Sequence, residues 1–354
     1  MAAPMNAGSG AFSYANNSSY QRTGFNSAKN LIKDVLIQSI DVKTLMSSTI
    51  SNTFTITDLG CSTGPNTFLA VENIIDAIEQ KYRSQGENPA SLEFQVFFND
   101  QVSNDFNTLF ASLPVDRHYY AAGVPGSFRG RLYPNSSICL AYCASSIHWL
   151  SKIPEELVDK NSPAWNYGKI HYTDARDEVV AAYEAQFEAD MDGFLNARGK
   201  EIVRGGVIVI ISPGVPDGAL ANHVGITFRF VESILIGMVK EGLIKQDGVD
   251  SFNIPHVYPS VKQMSKIVEK NGCFSIKKME MRNTRTELEA SIDHDGAIMH
   301  LRAAMEGTFL KHFGRKTAEE LFKRTIQQKS TLYDMMDKSR SEIGAQIFAV
   351  LTRK

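Results

Sequence analysis

Cysteine is scarce in this sequence. Its four thiols belong to Cys61, Cys139, Cys143 and Cys273. No two of them form a CxxC pair, and none stands near histidines at the spacing of a zinc finger. The sequence therefore indicates neither a disulfide framework nor a cysteine-based zinc site. We expect reduced thiols and a cytoplasmic location.

The sequence also lacks an excess of charge of one sign and any long apolar run. The formal net charge is −2 and no cluster of five or more lysines and arginines occurs, so we expect no nucleic-acid partner. No apolar run approaches the roughly 20 residues that span a bilayer. The N-terminal residues have neither the basic nor the apolar part of a secretory signal, and we expect no membrane association. What the chain does have is 43% apolar residues over 354 positions, which is ample for a core.

Residues 53–66 (TFTITDLGCSTGPN) carry the most informative pattern. Phe54 and Ile56 alternate with threonines, which predicts a strand. Gly60 and Gly64 then permit a tight turn and a close approach of a ligand to main-chain N–H groups. Apolar residues recur at helical spacing after the turn, so a helix of about four turns follows. This order of strand, glycine turn and helix is typical of the first unit of a dinucleotide-type α/β fold.

The details of the turn favour a different cofactor. Its sequence is neither the GxGxxG of NAD enzymes nor a P-loop, because it lacks the Lys-Ser/Thr pair that holds a triphosphate. A second apolar strand, residues 94–98, leads to Asn99 and Asp100. An acidic residue at that point can accept hydrogen bonds from both ribose hydroxyls. Together these features resemble the S-adenosylmethionine (SAM) site of class I methyltransferases.

Further polar and aromatic residues follow the predicted strands. Residues 123–128 (GVPGSF) are predicted as a turn-rich loop, and residues 138–142 as a third strand. Ligand sites of open α/β sheets form at the carboxyl ends of the strands. We therefore expect one crevice to be lined by Gly60, Asp100, Ser127, Ser145, His148 and Trp149.

The N-terminal residues contain a predicted helix and a polar segment before it. Apolar spacing predicts a helix from about residue 27 to residue 40. Residues 13–21 (SYANNSSYQ) precede it and are dense in hydrogen-bonding side chains.

The chain closely resembles the plant SABATH methyltransferases, nearly from end to end. Members of this family methylate small carboxylic acids, such as salicylic, jasmonic, farnesoic and loganic acids, and the purine alkaloids of coffee and tea. The resemblance is carried by residues 13–15 (SYA), 58–66 (DLGCSTGPN), 98–100 (FND), 104–107 (NDFN), 123–128 (GVPGSF), 148–151 (HWLS), 250–253 (DSFN) and 312–314 (HFG).

The resemblance implies an α/β fold of class I methyltransferase type, a Rossmann-like sheet with a helical cap built from insertions. Residues 1–354 would form a single methyltransferase unit. Within it, residues 1–50 would form an N-terminal lid and helix. The core would comprise residues 51–212, 256–281 and 340–354, and the cap about 213–255 and 282–339.

The resemblance also implies roles for single residues. Phe128 would stack on the adenine, Asp100 would bind the ribose, and Tyr14 would close the site. No residue would act as acid or base, and His148, Trp149 and Gln21 would position the substrate carboxylate. The cofactor-binding set would be Tyr14, Ser18, Gly60, Cys61, Asn66, Asp100, Gln101, Ser127 and Phe128. The substrate-binding set would be Tyr14, Gln21, Ser145, His148, Trp149, Thr227, Phe228 and Leu301.

Some members of the family hold a magnesium ion near the site. Here its ligands would be Asn166, Asp250, Asn253 and the carbonyl of Phe252. The family also implies a homodimer. One departure concerns Ser145, because many members have Tyr or Phe at that position; the pocket would be wider, or Ser145 would hydrogen-bond directly.

The implied function is the SAM-dependent conversion of a small-molecule carboxylic acid, a plant hormone or specialised metabolite, to its methyl ester. An alternative is the N-methylation of a purine alkaloid or another heterocycle. Members with that activity tend to replace the histidine of the His-Trp pair, so His148 favours the acid. A non-catalytic binding module is a third reading, which the intact Asp58, Asp100 and both glycines disfavour.

Overall fold

A seven-stranded mixed sheet forms the centre of the structure. The computed structural model describes residues 4–47, 53–219, 223–284, 294–338 and 345–354. The strands are β1 (Thr53–Leu59), β2 (Glu93–Asp100), β3 (Tyr120–Pro125), β4 (Ile138–Ala144), β5 (Ile202–Pro213), β6 (Phe274–Asn283) and β7 (Ala345–Arg353). Their order across the sheet is β3-β2-β1-β4-β5-β7-β6. The first five run parallel, whereas β7 runs antiparallel to β5 and β6. The predicted α/β sheet is confirmed.

Helices connect the strands and extend beyond the sheet. Some of them form the crossovers between parallel strands, and the others lie before β1 or in the helical segments that follow β5 and β6. In chain order they are α1 (Ser19–Ser39), α2 (Val42–Ser47), α3 (Asn66–Ser84), α4 (Phe106–Ala111), α5 (Asp177–Glu201), α6 (His223–Lys240), α7 (Gln246–Asp250), α8 (Val261–Asn271), α9 (His294–Phe313), α10 (Arg315–Gln327) and α11 (Lys329–Lys338).

Helices cover both faces of the sheet because the parallel strands are apolar on both sides. On one face, Phe54 and Ile56 of β1 share an apolar cluster with residues of α1 and α3. On the other face, Ile208 and Ile210 of β5 share a second cluster with α5 and α8. At the carboxyl ends of β1, β2 and β4, Gly60, Asp100 and Ala144 line a cavity.

A third apolar cluster lies outside the sheet. It joins Phe228 of α6, Leu301 and Phe309 of α9, Phe322 of α10 and Leu332 of α11. These helices fall within the segments predicted as a cap. Parts of the predicted domain borders, at residues 50–52, 285–293 and 339–344, lie outside the described residues, and the division into lid, core and cap stays a prediction.

The N-terminal helix begins earlier than the sequence pattern predicts. We expected it from about residue 27, but α1 starts at Ser19. Gly24 and Phe25 are buried, and a Cβ on Gly24 would lie 2.5 Å from the Gln346 side chain. The second turn of the helix therefore packs against a residue that is more than 300 positions away in sequence, and periodicity does not detect such a contact. As a result Gln21 lies on the helix and not in the segment before it.

The loop predicted over residues 123–128 is wrong for its first half. Gly123, Val124 and Pro125 belong to β3, which pairs in parallel with β2. β3 is an edge strand with little burial, so it lacks the apolar alternation that marks a strand in sequence. A Cβ on Gly123 would lie 3.0 Å from the ring of Phe110, so a larger residue would disturb this packing.

Two expectations for the whole chain concern thiols and membranes. All four cysteines are free thiols, as predicted, and Cys61, Cys139 and Cys143 are buried. Within the described ranges, no helix is both long enough and apolar enough to cross a membrane.

Candidate active site

Two adjoining cavities open at the carboxyl ends of β1, β2 and β4. Tyr14, Gly60, Ser62 and Ala144 line both, so the cavities meet at these residues. Of the predicted site residues, the first cavity is also lined by Asp100, Gln101, Ser127, Phe128, Ser145 and Trp149. The second is also lined by Gln21, Cys61 and Asn66.

Gly60 makes the turn after β1 possible. Its φ is +89°, a conformation that residues with a Cβ rarely adopt. A Cβ there would also lie 2.5 Å from the Cβ of Ser146. The N–H groups of Gly60 and Cys61 both donate to the Asn99 carbonyl, at 2.8 and 3.0 Å. The turn is thus fixed to the end of β2, and Gly60 lines both cavities.

Asp100 joins the ends of two strands. One carboxylate oxygen accepts the Ser62 N–H at 2.8 Å, and the other accepts the Gln101 N–H at 2.7 Å. Burial raises the pKa of Asp100, and these two hydrogen bonds oppose the increase. A carboxylate has about four acceptor positions, so two remain for a ligand. The residue that was predicted to bind ribose therefore also holds the glycine turn in place.

Asp58 is a second buried carboxyl group at this edge, and it lines the second cavity. The Thr67 hydroxyl donates a short hydrogen bond to it. Burial raises the pKa of Asp58 to about 7, and the nearby charge of Asp100 contributes to the increase. From the sequence Asp58 is recognised only as part of the motif at residues 58–66, and this shift in its pKa is not predicted.

The N-terminal segment passes over the crevice. Met5 and Tyr14 line the first cavity. The segment is attached to α9, because the Asn6 N–H donates to the Ala303 carbonyl at 2.9 Å and the Asn6 side-chain NH2 donates to Glu306 at 2.7 Å. The segment therefore lies beside the first cavity, and its role as a lid stays a prediction.

Ser18 and Asn66 interact with each other. The Asn66 NH2 donates to the carbonyl of Ser18 at 2.9 Å and to its hydroxyl at 3.0 Å. Arg22 donates to the amide oxygen of Asn66 at 3.0 Å. These bonds fix the start of α1 against the start of α3. Of this pair only Asn66 lines a cavity.

Trp149 lines the first cavity, whereas its neighbour His148 is buried and lines neither cavity. Burial, with the charge of Arg129 as a smaller cause, lowers the pKa of His148 to about 3. His148 is therefore neutral at pH 7. Its ring stacks near Tyr258 at 5.9 Å and meets His256 edge to face at 4.9 Å.

Three other residues predicted to contact substrate do not line these two cavities: Thr227, Phe228 and Leu301. Phe228 packs against His256, with ring centroids 5.4 Å apart, and Leu301 is buried in the cap cluster. Ser145 does line the first cavity, and its φ is +51°.

Two residues at the site were not predicted from the sequence. Arg129 lines the first cavity, donates to the Trp149 carbonyl, and pairs with Asp190 at 3.3 Å. Its guanidinium lies 5.0 Å from the centre of the Phe128 ring. The only sequence feature that could have indicated Arg129 is its position next to Phe128. The other missed residue, His300 of α9, contacts Gln21, and nothing in its sequence surroundings distinguishes it.

The proposed magnesium ligands form a hydrogen-bonded network. The Asn253 amide oxygen accepts the Asn166 NH2 at 2.7 Å and the Tyr183 hydroxyl at 3.3 Å. Phe252 packs its ring against Phe309, with centroids 5.1 Å apart. The amide oxygen that a metal would need is thus already an acceptor of two bonds.

Asp250 is the one carboxylate of that set. One of its oxygens accepts the Gly168 N–H at 3.0 Å and the Gln246 NH2 at 2.7 Å. Magnesium prefers an octahedron of free oxygen ligands. The residues do not fit the ion in this arrangement, and no step of the chemistry below uses it.

Comparisons with known proteins agree with the resemblance of the motifs. A family described as SAM-dependent carboxyl methyltransferase matches residues 1–354. A loganic acid O-methyltransferase of Catharanthus roseus is 40% identical over 99% of this chain and 94% of its own length. A paraxanthine methyltransferase of Arabidopsis thaliana is 35% identical over 89% of this chain and 88% of its own length.

A solved structure, a loganic acid methyltransferase with S-adenosylhomocysteine (SAH), superposes with a TM-score of 0.92. It is 39% identical to this chain, and the match covers 99% of each. The family, the enzyme class, the methyl donor and the class I fold predicted from the sequence are confirmed. The chain belongs to the family of SAM-dependent carboxyl methyltransferases.

Proposed function

We propose that the protein transfers a methyl group from SAM to the carboxylate of a small organic acid, and that Trp149 and Gln21 bind that carboxylate. One observation carries the proposal. Gly60, Asp100 and Trp149 line a single cavity beneath Tyr14, so the cofactor turn and the carboxylate donor open into the same space.

The residues of the first cavity fit SAM. Gly60 lines the cavity at the glycine turn, Asp100 retains free acceptor positions for ribose hydroxyls, and the Phe128 ring offers an apolar face to an adenine. Ser127 and Gln101 complete this group. When bound, the sulfonium of SAM supplies an already activated methyl group.

The chain does not need to supply a general base. A carboxylic acid with a pKa of about 4 is already ionised at neutral pH. Donors that are not nucleophiles, the Trp149 indole N–H and a Gln21 amide N–H, can hold the carboxylate oxygens without competing with them. Neutral, buried His148 then acts through the packing of Trp149 and not as a base.

Positioning and the exclusion of water would provide most of the catalysis. The reacting oxygen must lie about 3 Å from the methyl carbon and in line with the sulfur. Met5 and Tyr14 lie over the crevice and support the exclusion of water from it. The contribution of the N-terminal segment is therefore to close the site.

The substrate is a small-molecule acid. A protein named for loganic acid is 40% identical to this chain, which supports a specialised metabolite of that kind. The relative named for paraxanthine supports a second candidate, N-methylation of a purine. The homodimer and the cytoplasmic location stay predictions, which light scattering and fractionation of the source tissue would test.

The test is an assay with SAM and separate panels of carboxylic acids and xanthines. The product is identified by mass spectrometry before and after mild alkali. A product that alkali converts back to the acid supports the proposal. An alkali-stable N-methyl product favours the purine instead. Reactions without protein, and with protein but without an acceptor, are the controls.

A further inference from the structure

His300 of α9 is surrounded by the N-terminal segment and the start of α1. Its ring stacks on Tyr20, with centroids 5.6 Å apart and planes at 19°, and lies 6.3 Å from the Tyr14 ring. Its two ring nitrogens face Asn17 and Gln21. One side chain of the cap therefore contacts four residues near the N-terminus.

The partners of the two nitrogens determine the tautomer of His300. Nδ1 lies 3.0 Å from the Asn17 carbonyl oxygen, which can only accept, so Nδ1 carries the proton. Burial lowers the pKa of His300, which favours the neutral ring. In that tautomer Nε2 has a lone pair. The Gln21 NH2, 3.3 Å away, therefore donates to Nε2.

This hydrogen bond fixes the amide group of Gln21. The opposite orientation would place the amide oxygen against the lone pair of Nε2, which is repulsive. One N–H of Gln21 is used by His300, and the second is left for another acceptor. The amide oxygen is buried and has no hydrogen-bond partner among the described residues. Gln21 lines the second cavity, which shares Tyr14 and Gly60 as lining residues with the first.

We propose that His300 is a positioning residue for methyl transfer, which orients the Gln21 amide so that its second N–H points to the substrate carboxylate. This inference rests on the proposed function, because it assigns that N–H to the carboxylate. His300 itself does not touch the reacting atoms. Because Nε2 of His300 is an acceptor, it favours the orientation of Gln21 in which the NH2, and not the amide oxygen, is placed to meet the substrate anion.

The two hydrogen bonds of His300 can be removed separately. The side-chain nitrogen of asparagine is attached to Cγ, as Nδ1 of histidine is, so His300→Asn keeps the donor to the Asn17 carbonyl. The amide oxygen of a glutamine reaches the position of Nε2, so His300→Gln keeps the acceptor for Gln21. His300→Ala removes both bonds. His312, exposed near the end of the same helix, gives a matched control as His312→Asn.

We expect the variants to separate by their effect on the acid. His300→Gln should keep kcat/KM for the acid within about threefold of the parent, whereas His300→Asn and His300→Ala should lower it by about tenfold or more. The affinity for SAH should change little in all of them. His300→Asn should have no further effect in a Gln21→Leu background, because both changes remove the same interaction.

Three kinetic results would overturn the proposal. One is recovery of activity by asparagine but not by glutamine, which would make His300 an anchor for Asn17 only. The second is that all His300 variants behave like the parent, and the third is that all are equally impaired. Circular dichroism and thermal melting check that each variant is folded.

A spectroscopic measurement keeps this inference separate from the proposed function. In protein with 15N-labelled histidine, His300 should have a protonated Nδ1 and an unprotonated Nε2. The Nε2 signal should shift in Gln21→Leu, which removes its donor. A protonated Nε2, or no shift, would overturn the inference even if the parent methylates no acid. An inactive parent with the expected spectrum would instead count against the proposed function alone.

Discussion

The indole ring of Trp149 and the imidazole ring of His256 meet edge to face, with centroids 3.9 Å apart. The backbones of the two residues also form an antiparallel bridge. On either side, the Leu150 N–H donates to the Pro255 carbonyl at 2.7 Å, and the Val257 N–H donates to the His148 carbonyl at 2.8 Å. A segment more than 100 residues later in the chain thus fixes the position of Trp149 in the cavity.

Trp149→Phe keeps most of the ring but removes the N–H donor. A hydrogen bond to a charged group contributes about 1.5 to 3 kcal/mol, so kcat/KM for the acid should fall about 10- to 150-fold. Steady-state kinetics measure the effect. The other tryptophan, Trp165, lines neither cavity, and Trp165→Phe should leave kcat/KM unchanged. Equal values of kcat/KM for Trp149→Phe and the parent would contradict the role of the indole N–H as a donor to the carboxylate.

Asp100→Asn should weaken the binding of SAH by about tenfold or more, because hydrogen bonds from ribose to a charged acceptor are lost. The amide NH2 would also face the N–H group of Ser62 or Gln101, which disturbs the turn. Calorimetry with SAH measures the affinity. Glu93→Gln, at the exposed start of the same strand, is the matched control. An unchanged affinity in Asp100→Asn would contradict the ribose role.

Removal of residues 1–12 should leave a folded protein with little activity. The truncation deletes Met5 and the contacts of Asn6 with Ala303 and Glu306, but it spares Tyr14 and all of α1. A cut after Gln21 would instead remove the first turn of α1. Without the segment, water enters the crevice, and kcat should fall. A melting temperature close to that of the parent with full activity would show that the segment is not a lid.

Asp58 should make the stability of the free protein depend on pH. An aspartate carboxyl ordinarily has a pKa of 3.8, and burial in the folded protein raises the pKa of Asp58 to about 7. Between these values the folded state binds more protons than the unfolded state, so the free energy of unfolding falls as pH rises from about 4 to about 7. At about 1.4 kcal/mol for each pKa unit, the loss is up to about 4 kcal/mol.

Asp58→Asn removes this titration while preserving an acceptor for Thr67. Thermal melts of the parent and the variant should therefore diverge as pH rises from 4 to 7 and stay parallel above pH 8. The groups common to both proteins cancel in the difference. Melting curves that remain parallel over the whole range would exclude the raised pKa.

Chelation should not affect the enzyme. The Asn253 amide oxygen and one oxygen of Asp250 already accept two hydrogen bonds each. Protein treated with EDTA should keep its melting temperature and its kcat, and added magnesium chloride should change neither. A loss of activity on chelation that magnesium restores would contradict this.

The first unit of the fold and the family could both be predicted from short segments of the sequence. The alternation of Phe54 and Ile56, the glycine turn and Asp100 lie in short segments, and their structures follow from local backbone preferences. β1 and α3 accordingly occur where the pattern predicts them. The motifs of the family are local for the same reason.

The distant residues that complete the site are known only from the packing of the folded chain. His256 packs on Trp149, and His300 orients Gln21 from a helix about 280 residues away in sequence. The same holds for Gly24 in the second turn of α1, which is buried next to the Gln346 side chain. Such contacts leave no periodic pattern near either partner, because a single side chain on one face of a helix is compatible with many neighbours. Their identity depends on how the cap and the N-terminal segment pack against the sheet.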